Sequence, residues 1–166
     1  MNIGLSTAAF YGRWETEEAA EHLSDYGAAC AEAFLQTRGE MTAGFAADVR
    51  KRLNGVPCTS MHPKGTLFEN ELFGRSPRQR AEGWDAFHHA LDAAAELGAA
   101  YYVYHGWHSS TGNKIPFDAQ RNADVVGEMQ LRAAQRGIRI AWENVSWCQL
   151  TTPERVIEMK KWLPDI

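Results

Sequence analysis

Four glycines, Gly27, Gly55, Gly98 and Gly137, each stand between the end of an amphipathic stretch and the start of a short apolar run. A helix that stops on glycine and hands over at once to a β-prone run is one junction of a serial β/α chain. Four such junctions in phase constrain the fold class more than any other feature of this sequence. The apolar runs place strands at residues 3–6, 31–35, 58–62, 101–105 and 138–143. The first helix is expected to use Thr16 as N-cap, with Glu17 and Glu18 in its first turn, and to stop at Gly27. The second runs over residues 42–54, the third from Ser76-Pro77 to Leu97, the fourth from Pro116 to Gly137, and the fifth from Thr152-Pro153 to Trp162. Right-handed crossovers make consecutive strands of such a chain parallel.

The chain has 166 residues, whereas a closed eight-unit barrel typically takes about 250. Five units at the barrel spacing therefore predict an α/β fold, a partial (β/α)8 TIM barrel of about five parallel β/α units with the C-terminal units missing. No linker or low-complexity stretch divides it, so residues 1–166 read as a single incomplete barrel domain. Leu163-Pro164 reads as a helix exit and Asp165-Ile166 as the opening of a sixth strand. An open doubly wound sheet is the alternative, since five strands suffice for it. The first β/α loop, Ser6-Thr7-Ala8-Ala9-Phe10-Tyr11-Gly12, contains no G-x-G-x-x-G, which removes the common nucleotide-binding version of that fold.

A net charge of −4 argues against a dedicated nucleic-acid binder, which ordinarily carries a basic patch. Cys30, Cys58 and Cys148 form no CxxC pair and read as reduced thiols. The N-terminus lacks a basic segment followed by an apolar one, and no apolar run approaches the ~20 residues of a membrane span. The expected location is cytoplasmic, with no membrane partner. On that reading the sequon Asn144-Val145-Ser146 is accidental.

In a parallel barrel the chemistry lies at the carboxyl ends of the strands. The third strand ends at His62, the fourth at His105 and the fifth at Glu143. Alternation puts Glu143 on the face of Ala141, with Ile138, Ile140 and Trp142 on the other, where bulky apolar residues belong against outer helices. By the same count His105 shares a face with Val103, and His62 with Ser60 and Cys58. All three converge on one mouth, and an inward carboxylate needs a partner. These are the candidate catalytic residues. Glu32 also faces inward, as a structural ion pair or a catalytic group. Residues 64–75 form a long loop of the kind that closes over substrates, which brings in Lys64 as a substrate-binding candidate. Trp107 is a candidate pocket wall or sugar-stacking ring. His108 is a substrate contact or a plain loop residue, because H-x-x-H outside a helix is a poor metal signal. His22, His88 and His89 fall on helices and read as surface or packing residues.

Met61-His62-Pro63, His105-Gly106 and Trp142-Glu143-Asn144-Val145 together resemble the xylose isomerase-like barrel superfamily. Ile3-Gly4-Leu5-Ser6-Thr7 and the segment Ala94-Ala95-Glu96-Leu97-Gly98-Ala99 are similar to it as well. That group includes sugar-phosphate isomerases and epimerases and the endonuclease IV-type AP endonucleases. The resemblance implies a divalent metal (Mn, Mg, Co or Zn), with Glu143 as a ligand and as one of a pair of acids that move protons next to a sugar carbonyl. It implies that His62 and His105 touch substrate or, in the nuclease branch, zinc. The family's further ligands, an aspartate, a histidine and a second glutamate, come from strands six to eight, which leaves Glu143 as the expected metal ligand and the site incomplete. The implied activity is a metal-dependent isomerase or epimerase acting on a sugar or sugar phosphate. An AP endonuclease and a non-catalytic, self-associating half-barrel are the alternatives, the last with a homo-oligomer as its consequence.

Overall fold

The computed structural model describes residues 3–65, 68–108 and 117–163. Five strands, β1 (Gly4–Ser6), β2 (Cys30–Leu35), β3 (Cys58–Pro63), β4 (Tyr101–Tyr104) and β5 (Arg139–Trp142), form one sheet in the order β1-β2-β3-β4-β5. Every neighbouring pair is parallel. A doubly wound sheet reverses its strand order at a switch point. Here each strand lies beside its predecessor, which is barrel order and removes the doubly wound alternative.

The helices are α1 (Thr16–His22), α2 (Ala43–Arg52), α3 (Glu69–Leu72), α4 (Pro77–Leu97), α5 (Ala119–Ala134) and α6 (Pro153–Lys160). The Ser76 hydroxyl caps α4, and Pro77 takes its first turn. Ala90, Leu91, Ala94 and Leu97 line the buried stripe of α4 at helical spacing. Gly98 ends it at φ +76°, with Gly98 N donating to Ala95 O and Ala99 N to Ala94 O, both at 3.0 Å. The same pair of bonds recurs at Gly137 and Gly27. A Cβ on Gly98 would meet nothing within 4 Å, so alanine there is expected to cost only its left-handed backbone, about 1–2 kcal/mol. Urea denaturation of Gly98→Ala checks this, and an unchanged midpoint would refute it.

Several local expectations are corrected. Thr16 is the first helical residue and not the cap. Glu15 caps α1 in a reciprocal pair with Glu18, while the Thr16 hydroxyl lies 2.9 Å from Phe34 O and 2.8 Å from Glu40 Oε2, tying α1 to the chain beyond β2. The helix ends at His22 and turns carry the chain on to Gly27. Asp118 caps α5 by accepting from Arg121 N at 3.0 Å. Pro116, Asp165 and Ile166 lie outside the described residues. In the loop after β3, Phe68, Leu72 and Phe73 are buried and the short α3 forms between them, so this part is pinned into the core instead of standing free as a lid.

The core lies between the sheet and its helices. Ala31, Ala33 and Leu35 of β2, Met61 of β3, and Tyr102 and Tyr104 of β4 pack with Phe87 and Leu91 of α4 and Val126 and Met129 of α5. The opposite face of the sheet carries Glu32, Ser60, His62 and Val103. A register shift, with Thr59 of β3 left out of the pairing, sets Glu32 opposite Ser60. Cys30, Cys58 and Cys148 are free thiols. Among the described residues no helix is long and apolar enough to cross a membrane.

Candidate metal centre

The interior face builds a polar row across three strands. Ser6 at the end of β1 donates to Glu32 Oε1 at 2.7 Å, and Ser60 on β3 donates to Oε2 at 3.2 Å. His62 Nδ1 lies 3.6 Å from Glu32 Oε1. Burial works to raise the Glu32 pKa, but the bonds from His62, Ser6 and Ser60 together outweigh it and hold the carboxyl below its ordinary value. Glu32 is therefore an ionised acceptor that engages His62 at Nδ1 and leaves Nε2, which is buried and has no partner.

His62 leads to His105, with ring centroids 4.6 Å apart. His105 and Glu143 follow directly on β4 and β5, and His105 Nε2 is 3.2 Å from Glu143 Oε2. Desolvation, then the neighbouring His62, lowers the His105 pKa, with Glu143 acting against both. The imidazole is accordingly neutral, the state in which it can bind a cation. One ligand atom from each of His62, His105 and Glu143 lies within 4.8 Å of the others. The His105 side chain is 6% exposed and that of Glu143 52% exposed, so the cluster is closed on one side and open on the other. The family resemblance implied Glu143 as the metal ligand in this chain, with His62 and His105 reaching zinc only in the nuclease branch. The geometry brings two imidazole donors to it.

Lys64 Nζ donates to Tyr11 OH at 2.8 Å and sits over that ring at 5.2 Å. His108 is buried, its backbone paired with Asn70, and its pKa is lowered by desolvation against a smaller opposing bond from Gly65. Trp107 stacks on Phe73 at 5.4 Å and 4°, and Arg121 lies over its ring at 5.3 Å. The indole beside the cluster is Trp147, 5.0 Å from His105, 5.5 Å from His108 and about half exposed. Sequence reasoning passed over Trp147, although its place four residues beyond Glu143 marks it as part of the same mouth. Glu69, which sequence reasoning placed in the long loop expected to close over substrate, is a fully buried acid whose Oε1 accepts from Tyr102 OH at 3.0 Å. Burial raises the Glu69 pKa well above the usual carboxylate range, and the bond from Tyr102 offsets only part of that.

A family model describing the xylose isomerase-like TIM barrel matches residues 20–165. No curated protein matches the sequence. Among solved structures, the chain is similar to 3-keto-D-glucoside 4-epimerase from E. coli, with 15% identity and a TM-score of 0.71 over 99% of this chain and 64% of that one. It is similar to D-psicose 3-epimerase with D-tagatose from Clostridium cellulolyticum H10, with 16% identity and a TM-score of 0.73 over 98% and 60%. A third is a protein from Thermus thermophilus soaked with ZnCl2, with 22% identity and a TM-score of 0.68 over 99% and 64%. At these identities the likeness is one of fold. The chain spans 60–64% of the length of these three structures.

Proposed function

Because the chain belongs to the xylose isomerase-like TIM-barrel family, we propose that it carries the metal-binding and proton-transfer half of a sugar isomerase or epimerase site, built from His62, His105 and Glu143. Residues 1–166 then form one incomplete barrel domain, and the hydrophobic cluster running from Ala20 to Ile138 supports that reading. The observation that carries the proposal is the convergence of one buried imidazole, one partly buried imidazole and a half-exposed carboxylate within 4.8 Å. The donor set fits a divalent cation. His62 Nε2 is buried without a partner while its other nitrogen faces Glu32. Two nitrogens and one oxygen suit Zn²⁺ or Co²⁺ better than Mg²⁺, which favours oxygen ligands. Three protein ligands with open positions is the pattern of catalytic metal sites. When bound, such a metal polarises the carbonyl and hydroxyl oxygens of a sugar.

The chain's own residues supply the rest. Glu143, reachable from solvent, takes the proton from the carbon next to the carbonyl. His105 Nε2, 3.2 Å from the same carboxylate, would hold the cation beside Glu143. His62, fixed by Glu32 through Nδ1, would offer Nε2 to the cation. Trp147 offers a half-exposed ring on which a sugar face can stack. Lys64 and His108 flank the mouth as further substrate contacts. Proton exchange tests the reading. With Zn²⁺, Mn²⁺ or Co²⁺ in D₂O, the chain is expected to wash deuterium into a ketose or ketose phosphate at the carbon beside the carbonyl, followed by proton NMR. Glu143→Gln is expected to abolish this, and exchange at the wild-type rate in that variant would sink the assignment.

A second reading, hydrolysis at abasic DNA, is favoured by one observation: both histidines bring a ring nitrogen within 4.8 Å of a Glu143 oxygen, in keeping with the role that the nuclease-branch resemblance implied. Abasic-duplex binding that weakens steeply with salt, together with no deuterium exchange, would select it.

A further inference from the structure

A carboxyl group without exposed surface is costly to keep unless its polar atoms are used. Glu69 is 0% exposed. Its Oε1 accepts from Tyr102 OH, and its Oε2 has no hydrogen-bond partner. His105 has the complementary deficiency, since Nε2 faces Glu143 while Nδ1 is buried and unpaired. The two unpaired atoms flank one spot. A methyl group built on Gly65 would lie 2.9 Å from Glu69 Oε2 and 3.2 Å from His105 Nδ1. Gly65 is not in the left-handed region, so space and not backbone conformation is what a side chain would contest there.

We infer that Glu69 is the positioning residue of His105: its free oxygen and Nδ1 lie on either side of the bare Cα of Gly65, beyond hydrogen-bond distance in this structure, and a small side-chain shift joins them and fixes the ring with Nε2 toward Glu143. A neutral carboxyl can donate its O–H to Nδ1 or accept from Nδ1–H, so the contact is open to either tautomer. At the neighbouring histidine the corresponding pair is already close, with Glu32 Oε1 3.6 Å from Nδ1 of His62 while Nε2 stays unpaired. Histidines that bind metals are generally held this way through the far nitrogen, and the support sets ring orientation and basicity. The inference thus gives each imidazole of the cluster its own carboxyl, Glu32 from β2 and Glu69 from α3. It also gives the core-pinned loop after β3 a task. Phe68 and Phe73, buried on either side of α3, hold Glu69 at a fixed depth behind the ring.

The consequence for metal rests on the reading of His62, His105 and Glu143 as a metal centre, but the contact at Nδ1 does not. The test is therefore made on the metal-free, ¹⁵N-labelled chain, by long-range ¹H–¹⁵N spectra of the histidine rings at neutral pH. Glu69→Leu is expected to shift the His105 Nδ1 resonance by several ppm while His22 and His89, on exposed helical positions, stay in place. Glu69→Gln keeps a donor and an acceptor at that depth and is expected to restore most of the wild-type position. Gly65→Ala leaves the carboxyl intact but wedges a methyl between the two atoms, and is expected to move the same resonance. This last variant decides the matter if Glu69→Leu fails to fold. An unmoved His105 Nδ1 resonance in folded Gly65→Ala or folded Glu69→Leu overturns the inference, whether or not the chain binds zinc.

Discussion

Calorimetric titration of Zn²⁺ into the chain is expected to show one site, and His105→Ala or Glu143→Gln to remove it. With three ligands converging within 4.8 Å, loss of one leaves two donors and no closed geometry. The fall in affinity should then exceed the roughly 10–100-fold that loss of a mere supporting partner costs. Glu32→Gln provides that internal scale. It keeps the position of the side chain but gives up the charge that pairs with His62, so its effect is expected near the lower end of the same range. The ordering matters as much as the magnitudes. If Glu32→Gln weakened zinc binding more than Glu143→Gln, the centre would have to be moved toward β2. Equal binding by all three proteins would place any zinc elsewhere on the surface.

The second large effect lies in the core. Phe87 is 0% exposed on the buried face of α4, with its ring edge-on to Trp84 at 5.8 Å and to Tyr102 at 5.3 Å. Phe87→Ala removes a whole ring from a site bounded by a helix on one side and β4 on the other, where neither can collapse to fill it. The expected loss is about 3–5 kcal/mol, a large part of the roughly 5–15 kcal/mol that holds an ordinary domain folded. Urea denaturation followed by circular dichroism measures it, and a loss below about 1 kcal/mol would show that the site repacks freely. The variant also reaches toward the candidate site, because Tyr102, against which Phe87 packs, carries the hydroxyl that bonds Glu69. A folded but loosened Phe87→Ala is therefore expected to disturb His105 as well.

Much of this was legible in the linear chain, and the reasons are local. Glycine stops, Ser76-Pro77 and the apolar stripe of α4 act within a few residues, so the number, type and sequence of the β/α units could be read directly. Strand alternation has a period of two, so once the ends of β3, β4 and β5 were located, the convergence of His62, His105 and Glu143 followed from counting. Local reasoning slipped where two nearby groups competed for one job. Thr16 has the chemistry of an N-cap, yet its hydroxyl is taken by partners 18 and 24 residues away, and Glu15 caps the helix in its place.

What the sequence by itself determined is the architecture and the chemical types at the strand ends: five parallel β/α units with two imidazoles and a carboxylate at one mouth. The tertiary structure alone decided which groups support them. Glu32 takes its place opposite Ser60 through a register shift that no spacing reveals. Glu69 meets Tyr102 across 33 residues, and Trp147, not Trp107, comes to lie against His105. Periodicity records which face of its own element a residue occupies. It carries no record of which distant element arrives at that face, because that is set by the packing of whole helices and loops against the sheet.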